Sequence, residues 1–200
     1  MLFRSGLWNA EAARRVAETV AQAPSDTVFH VHNWTHFLSP AILAALKPVW
    51  PRTVLHAHDM FLFCPNGAYF NYRTDRDCTL TGGGAACAAV NCDKRNRAHK
   101  LWRVARHWTR QAALDLARFG GRIALIHPGQ RPYFEAHGVP GEVLVDLRNP
   151  VAACEAPRVE AERNAMVLFL GRMTSAKGPD RLLEAARRAG APAELAGDGE

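Results

Sequence analysis

Short apolar runs alternate with amphipathic stretches along most of this chain. Residues 27–32, 52–58, 122–127, 143–147, 166–170 and 193–196 are rich in Val, Ile, Leu and Phe and read as strands. Helical patterns lie between them. Asn9 is placed to cap a helix carrying Ala13, Val16, Ala17 and Val20 on one face, closed by Pro24-Ser25-Asp26. Ser39-Pro40 opens a second helix with Ile42, Leu43 and Leu46 inward, and Pro48 and Pro51 stop it. A long helix is expected over 98–119, with Leu101, Val104, Ala105, Trp108, Ala112 and Leu116 near one side and Gly120-Gly121 as its end signal. Residues 132–137 and 179–189 complete the set. Strands alternating with helices predict an α/β fold, a Rossmann-like parallel sheet wrapped on both faces.

In such sheets ligands bind at the carboxyl ends of the strands. His32-Asn33, His58-Asp59, His127-Pro128, Asn149-Pro150 and Gly171-Arg172 all fall just past predicted strand ends. His56 and His58 share parity on one strand and His30 and His32 on another, so each pair faces one side of the sheet. Imidazoles and a carboxylate so placed suit a metal site, a polar wall for sugar hydroxyls, or proton transfer. A set of structural, hydrogen-bonded histidines is the plainer reading.

Residues 59–96 break the alternation. This segment is rich in Gly, Asn, Asp and Cys and too long for an ordinary connection, so it is expected to be functional or stapled. Cys64, Cys78, Cys87 and Cys92 all lie in it, and Cys154 lies apart in a polar stretch. The four thiols are candidate ligands for a structural zinc ion, although no Cys-x-x-Cys pair is present. One or two disulfides, or four separate thiols, are the alternatives.

Near the end, Val167-Leu-Phe-Leu-Gly171-Arg172 leads through a polar turn to Lys177-Gly178-Pro179 and a helix. Such a strand–turn–helix with two cations at its mouth suits a phosphorylated ligand. It is not a P-loop, since no Gly-Lys-Ser/Thr follows. A second basic feature is the ridge formed by Lys94, Arg95, Arg97, Lys100, Arg103, Arg106, His107 and Arg110, beside Trp102 and Trp108. It is either a solvated helix face or a contact for an anionic membrane surface or lipid-linked acceptor.

The formal net charge of +6 over 200 residues favours an anionic partner. No recognition motif accompanies the charge, so nucleic acid is not expected. No apolar run approaches the roughly 20 residues of a membrane span, and the first residues show no secretory signal. These features point to a cytoplasmic protein, peripheral at the inner membrane surface if the basic ridge meets lipid.

Taken in order, Val28-Phe-His30-Val-His32-Asn33, Leu38-Ser39-Pro40, Leu55-His56-Ala-His58-Asp59 with Cys64-Pro65-Asn66-Gly67, and Asn149-Pro150-Val151 resemble the N-terminal domain of family 4 glycosyltransferases. Gly171-Arg172 with Lys177-Gly178, Leu182-Leu183-Glu184-Ala185 and Gly197-Asp198-Gly199 resemble the opening of that family's donor domain. The resemblance implies a GT-B architecture: an acceptor-side domain over 1–150, a linker over 151–164, and the first strand–helix–strand of a nucleotide-sugar-binding domain over 165–200. It implies transfer of a sugar from a nucleotide-sugar to a sugar or lipid-linked acceptor in polysaccharide or glycolipid synthesis, with retention and with no metal required for catalysis. Gly171, Arg172 and Lys177 would hold the donor diphosphate, and His58, with Asp59 orienting it, would lie near the transferred sugar. The family's first strand and glycine-rich loop and the rest of its donor domain have no counterpart here, so the resemblance implies a fragment, incomplete at both ends. A non-catalytic binding module with a cysteine loop and a basic helix is the competing expectation.

Overall fold

The computed structural model describes residues 6–153 and 155–199, and Cys154 therefore lies outside the described residues. The chain divides into two compact units, residues 1–150 and 151–200. In chain order the first contains α1 (Ala10–Gln22), β1 (Phe29–Val31), α2 (Trp34–Phe37), α3 (Ala41–Ala45), β2 (Thr53–Ala57), β3 (Phe70–Asn71), β4 (Arg76–Asp77), α4 (Ala85–Ala89), α5 (Arg97–Ala113), β5 (Arg122–Leu125), α6 (Arg131–Ala136) and β6 (Leu144–Asp146). The second contains β7 (Val167–Leu170), α7 (Pro179–Ala189) and β8 (Ala193–Ala196).

Strands β1, β2, β5 and β6 form one parallel sheet in the order β1-β2-β5-β6. Register sets Val31 beside Leu55, Leu55 beside Ile123 and Ile123 beside Leu144. Because side chains alternate along a strand, these four share one face. They are buried with Ile42, Leu43, Leu46 and Phe134 in one apolar core. Each such side chain contributes roughly 1.5–3 kcal/mol by leaving water. The arrangement is a mixed α/β fold with a four-stranded parallel sheet, compatible with a Rossmann-like pattern.

Helix α1 starts as expected: the Asn9 carboxamide oxygen accepts the Ala12 N–H at 3.0 Å, and Val16 and Val20 lean on the core. Ser39 ties that start to the next helix, its hydroxyl accepting the N–H groups of Asn9 (2.8 Å) and Ala41 (3.3 Å).

Helix α5 departs from expectation in length and in rotation. It ends at Ala113 because Leu114 turns extended and Asp115 caps a separate turn, accepting the Ala117 N–H at 3.1 Å. Its inward face is Lys100, Val104, Arg106, His107, Arg110 and Ala113, whereas Leu101 and Trp108 are exposed.

The segment between β2 and α5 is ordered by a polar network. Buried Asn66 sits at its centre, accepting from the Cys64 thiol (3.0 Å) and the Ala68 N–H (3.2 Å), and donating to the Phe70 carbonyl (3.0 Å). Fully buried Asp93 accepts the Arg95 N–H at 2.8 Å and pairs with Arg103 at 3.1 Å. Gly82 is required here: a Cβ on it would lie 1.6 Å from the Phe63 carbonyl oxygen.

In the second unit β7 and β8 pair in parallel and α7 connects them. Gly178, at φ 76°, makes the left-handed turn into α7, and Pro179 occupies its first position.

Candidate functional site

All four sheet strands run the same way, so β1 and β2 deliver their terminal residues to one edge. The alternation that sends Val31, Leu55 and Ala57 into the core sends His30, His32, His56 and His58 to the opposite face. There the imidazoles cluster: ring centroids are 4.1 Å apart for His30–His32 and 4.9 Å for His32–His56, both tilted, and 4.4 Å for the stacked pair His56–His58. His32 Nδ1 and His58 Nε2 share a hydrogen bond of 2.8 Å. His56 is buried, with its Nε2 3.2 Å from the Leu147 carbonyl oxygen and its Nδ1 buried without a hydrogen-bond partner among the described residues. His30 and His32 are exposed. Burial, and then the charge of neighbouring imidazoles, holds the pKa values of His30 and His58 below the ordinary imidazole value. The charge of Asp59 pulls His58 upward but does not offset this.

Sequence parity anticipates each histidine pair. What the local pattern lacks is that β1 and β2 are adjacent and in a register that gathers all four rings.

His58 and Asp59 also border a cavity of about 320 Å³, together with Gly67, Tyr69, Asp77 and Tyr133. Asp59 accepts the Phe61 N–H at 2.9 Å and so shapes the turn after β2. Tyr69 stands at φ 48°, an unusual conformation for a bulky residue, and its hydroxyl meets His137 Nε2 at 2.9 Å. Burial raises its pKa. Tyr69, Asp77 and Tyr133 carry no local sequence signal of a site; for Tyr69 and Asp77 the length of the irregular segment is the one pointer. The cavity offers carboxylates, phenols and an imidazole, a polar lining suited to hydroxyl groups.

In the second unit, Gly171 and Arg172 follow β7 directly. Gly171 N–H donates to Ala196 (3.0 Å) and Met173 N–H to Asp198 (2.8 Å), which holds the turn beside the end of β8. Arg172 and Lys177 are exposed, and neither side chain has a hydrogen-bond or ion-pair partner among the described residues. Two unpaired cations beside a helix N-terminus favour an anion. A concavity on α7, lined by Asp180, Arg181, Glu184 and Arg188, does not include them.

The four cysteines are free, and Cys64, Cys87 and Cys92 are buried. Among the described residues, the side chains brought together as possible metal ligands do not include them. Instead the fully buried Lys100 ammonium lies 3.2 Å from both Cys87 Sγ and Cys92 Sγ. Burial lowers the Lys100 pKa and the two sulfur contacts raise it, with a net shift upward. As arranged, two of the sulfurs face a buried ammonium and the Cys64 thiol donates to Asn66.

The basic ridge is also not one surface. Lys94, Arg95 and Arg97 are exposed, but Lys100, Arg106, His107 and Arg110 are buried. Arg106 packs over Phe61 (4.7 Å) and Trp102 (5.1 Å) and donates to the Thr35 carbonyl at 3.2 Å. Among the described residues no helix is long and apolar enough to cross a membrane.

Comparison with known proteins returned no match: no family model, no curated protein and no solved structure matches the chain.

Proposed function

We propose that this chain carries the acceptor-side domain and the beginning of the donor domain of a retaining glycosyltransferase of the GT-B type. The observation that most supports this reading is the turn after β7. It presents Arg172 and Lys177 exposed and, among the described residues, unpaired, beside a helix whose first residues follow Gly178. A diphosphate leaving group gains negative charge as the sugar bond breaks, and fixed cations stabilise that charge in the transition state. The guanidinium offers a two-pronged contact to phosphate oxygens and the ammonium a point charge. His58 at the end of β2, with the polar cavity beside it, is the counterpart on the acceptor side, where a sugar hydroxyl would be oriented.

The reading is tested by titrating uridine and guanosine diphosphates and their sugar conjugates into the full chain, with calorimetry as the readout. Binding of one of them, weakened about 100-fold when Arg172 and Lys177 are both changed to alanine, is expected. Diphosphate affinity that the double variant leaves untouched would remove the assignment. Transfer to an acceptor, measured on a polypeptide that contains this chain, is expected to fall with His58→Ala while diphosphate affinity persists.

A further inference from the structure

The histidine face of the sheet does more than the transfer reading asks of it, since that reading uses His58 alone. His30, His32 and His56 each offer a ring nitrogen, and the three atoms lie within 4.8 Å of one another. Zinc bound by imidazoles has metal–nitrogen distances of about 2.0–2.1 Å. Three nitrogens this close reach a common ion with small side-chain rotations, and His30 and His32 are exposed enough to make them.

The hydrogen bonds around the cluster are those that ligating histidines need. A metal-bound imidazole donates its other ring N–H to an acceptor, which fixes the tautomer and the ring orientation. His56 Nε2 donates to the Leu147 carbonyl at 3.2 Å, which leaves the lone pair on Nδ1. That Nδ1 is the atom buried without a partner, an arrangement that costs free energy unless something accepts the lone pair. His32 repeats the pattern. With Nδ1 donating to His58 Nε2 at 2.8 Å, its Nε2 keeps a lone pair for an ion. His58 then supports the site without ligating.

We propose that His30, His32 and His56 form a binding site for a divalent transition-metal ion of the zinc class, with Leu147 and His58 as the acceptors that orient two of the ligands. Three neutral imidazoles and no carboxylate favour zinc, nickel, copper or cobalt over magnesium and calcium, which prefer oxygen. Three protein ligands leave a fourth position open to water or to a ligand oxygen. The site involves no thiol, so it is separate from the cysteine segment, and it stands whether or not the chain transfers sugars.

The test is calorimetric titration of zinc into the metal-stripped full chain, with cobalt(II) absorption as a second readout. The expected result is one ion per chain, no competition by magnesium, and visible cobalt bands without a thiolate charge-transfer band. His30→Ala and His32→Ala, both at exposed positions, are each expected to weaken zinc about 100-fold. His58→Ala is expected to weaken it about tenfold, as loss of an orienting acceptor does. His99→Ala on α5 should change nothing, and circular dichroism confirms that each variant folds. The proposal is overturned if the chain binds no zinc. It is equally overturned if the histidine variants bind zinc as tightly as the parent, or if a thiolate band appears and vanishes with Cys87→Ser and Cys92→Ser.

Discussion

Helix α5 and the turn after β7 are both rich in cations and use them in opposite ways. In α5, Lys100, Arg106 and Arg110 are buried. Lys100 faces two sulfurs, Arg106 packs on two aromatic rings and donates to a carbonyl, and Arg110 reaches the His107 imidazole at 3.5 Å. On the turn, Arg172 and Lys177 stand in solvent with no partner among the described residues. Burying a charge costs several kcal/mol, which only specific partners offset, so a buried cation is committed to the fold. An exposed, unpartnered one is free to meet a ligand. Charge counted along the sequence does not separate the two, and burial does.

The largest break in this comparison is expected in acid. His107 is buried among cations, and burial first, then Arg110, depresses its pKa to about 3. An unfolded histidine titrates near 6.5. Above pH 6.5 neither state is protonated and the contribution to stability is complete. As pH falls from 6.5 towards 3, the unfolded chain takes up a proton that the folded chain refuses, so stability drains away, by about 5 kcal/mol at the limit. Urea unfolding of the parent and of His107→Leu at pH 7.5 and 4.5 measures this. The parent should lose more stability than the variant, and equal losses would show that His107 is not the buried neutral base described.

Lys100→Ala comes next. It removes a fully buried stem and the charge between Cys87 and Cys92, and a loss of about 3 kcal/mol is expected in the urea midpoint. Lys100→Met keeps the volume and should cost about 1 kcal/mol. If both cost the same, the charge rather than the packing carries the effect. At the other extreme, Arg172→Ala and Lys177→Ala should each shift stability by less than about 0.5 kcal/mol, since both side chains are exposed and unpaired among the described residues. The same holds for Arg14→Ala, whose pairs with Glu11 and Glu18 lie on an exposed helix face.

Much of the sheet was legible in the sequence. The apolar runs at 52–58 and 122–127 became β2 and β5 to within two residues at each end, and Gly171-Arg172 to Pro179 formed the expected strand–turn–helix. These features are local, and period and turn chemistry encode them directly. Helix α5 was misjudged because two faces compete in its pattern. Leu101 and Trp108 suggest one inward side, while the aliphatic stems of Lys100, Arg106 and Arg110 bury as well as apolar chains once their heads find partners. The Arg106 partner is remote, since Thr35 is 71 residues away, and Cys87 is 13 residues from Lys100 across the irregular segment. Residues 59–96 were opaque for the same reason, since a polar network centred on Asn66 and Asp93 orders them rather than a hydrophobic period. Within the candidate site, the histidine parity was visible, but the adjacency of β1 and β2 that joins the pairs is a property of the folded sheet.

One paired measurement tests the division of labour between the two cationic regions most directly. Thermal stability and nucleoside-diphosphate affinity are determined side by side for Arg106→Ala and for the Arg172→Ala, Lys177→Ala double variant. The account predicts that Arg106→Ala loses about 3 kcal/mol of stability, while the double variant keeps its stability and loses diphosphate affinity about 100-fold. A double variant that unfolds easily, or one that still binds diphosphate as the parent does, would contradict it.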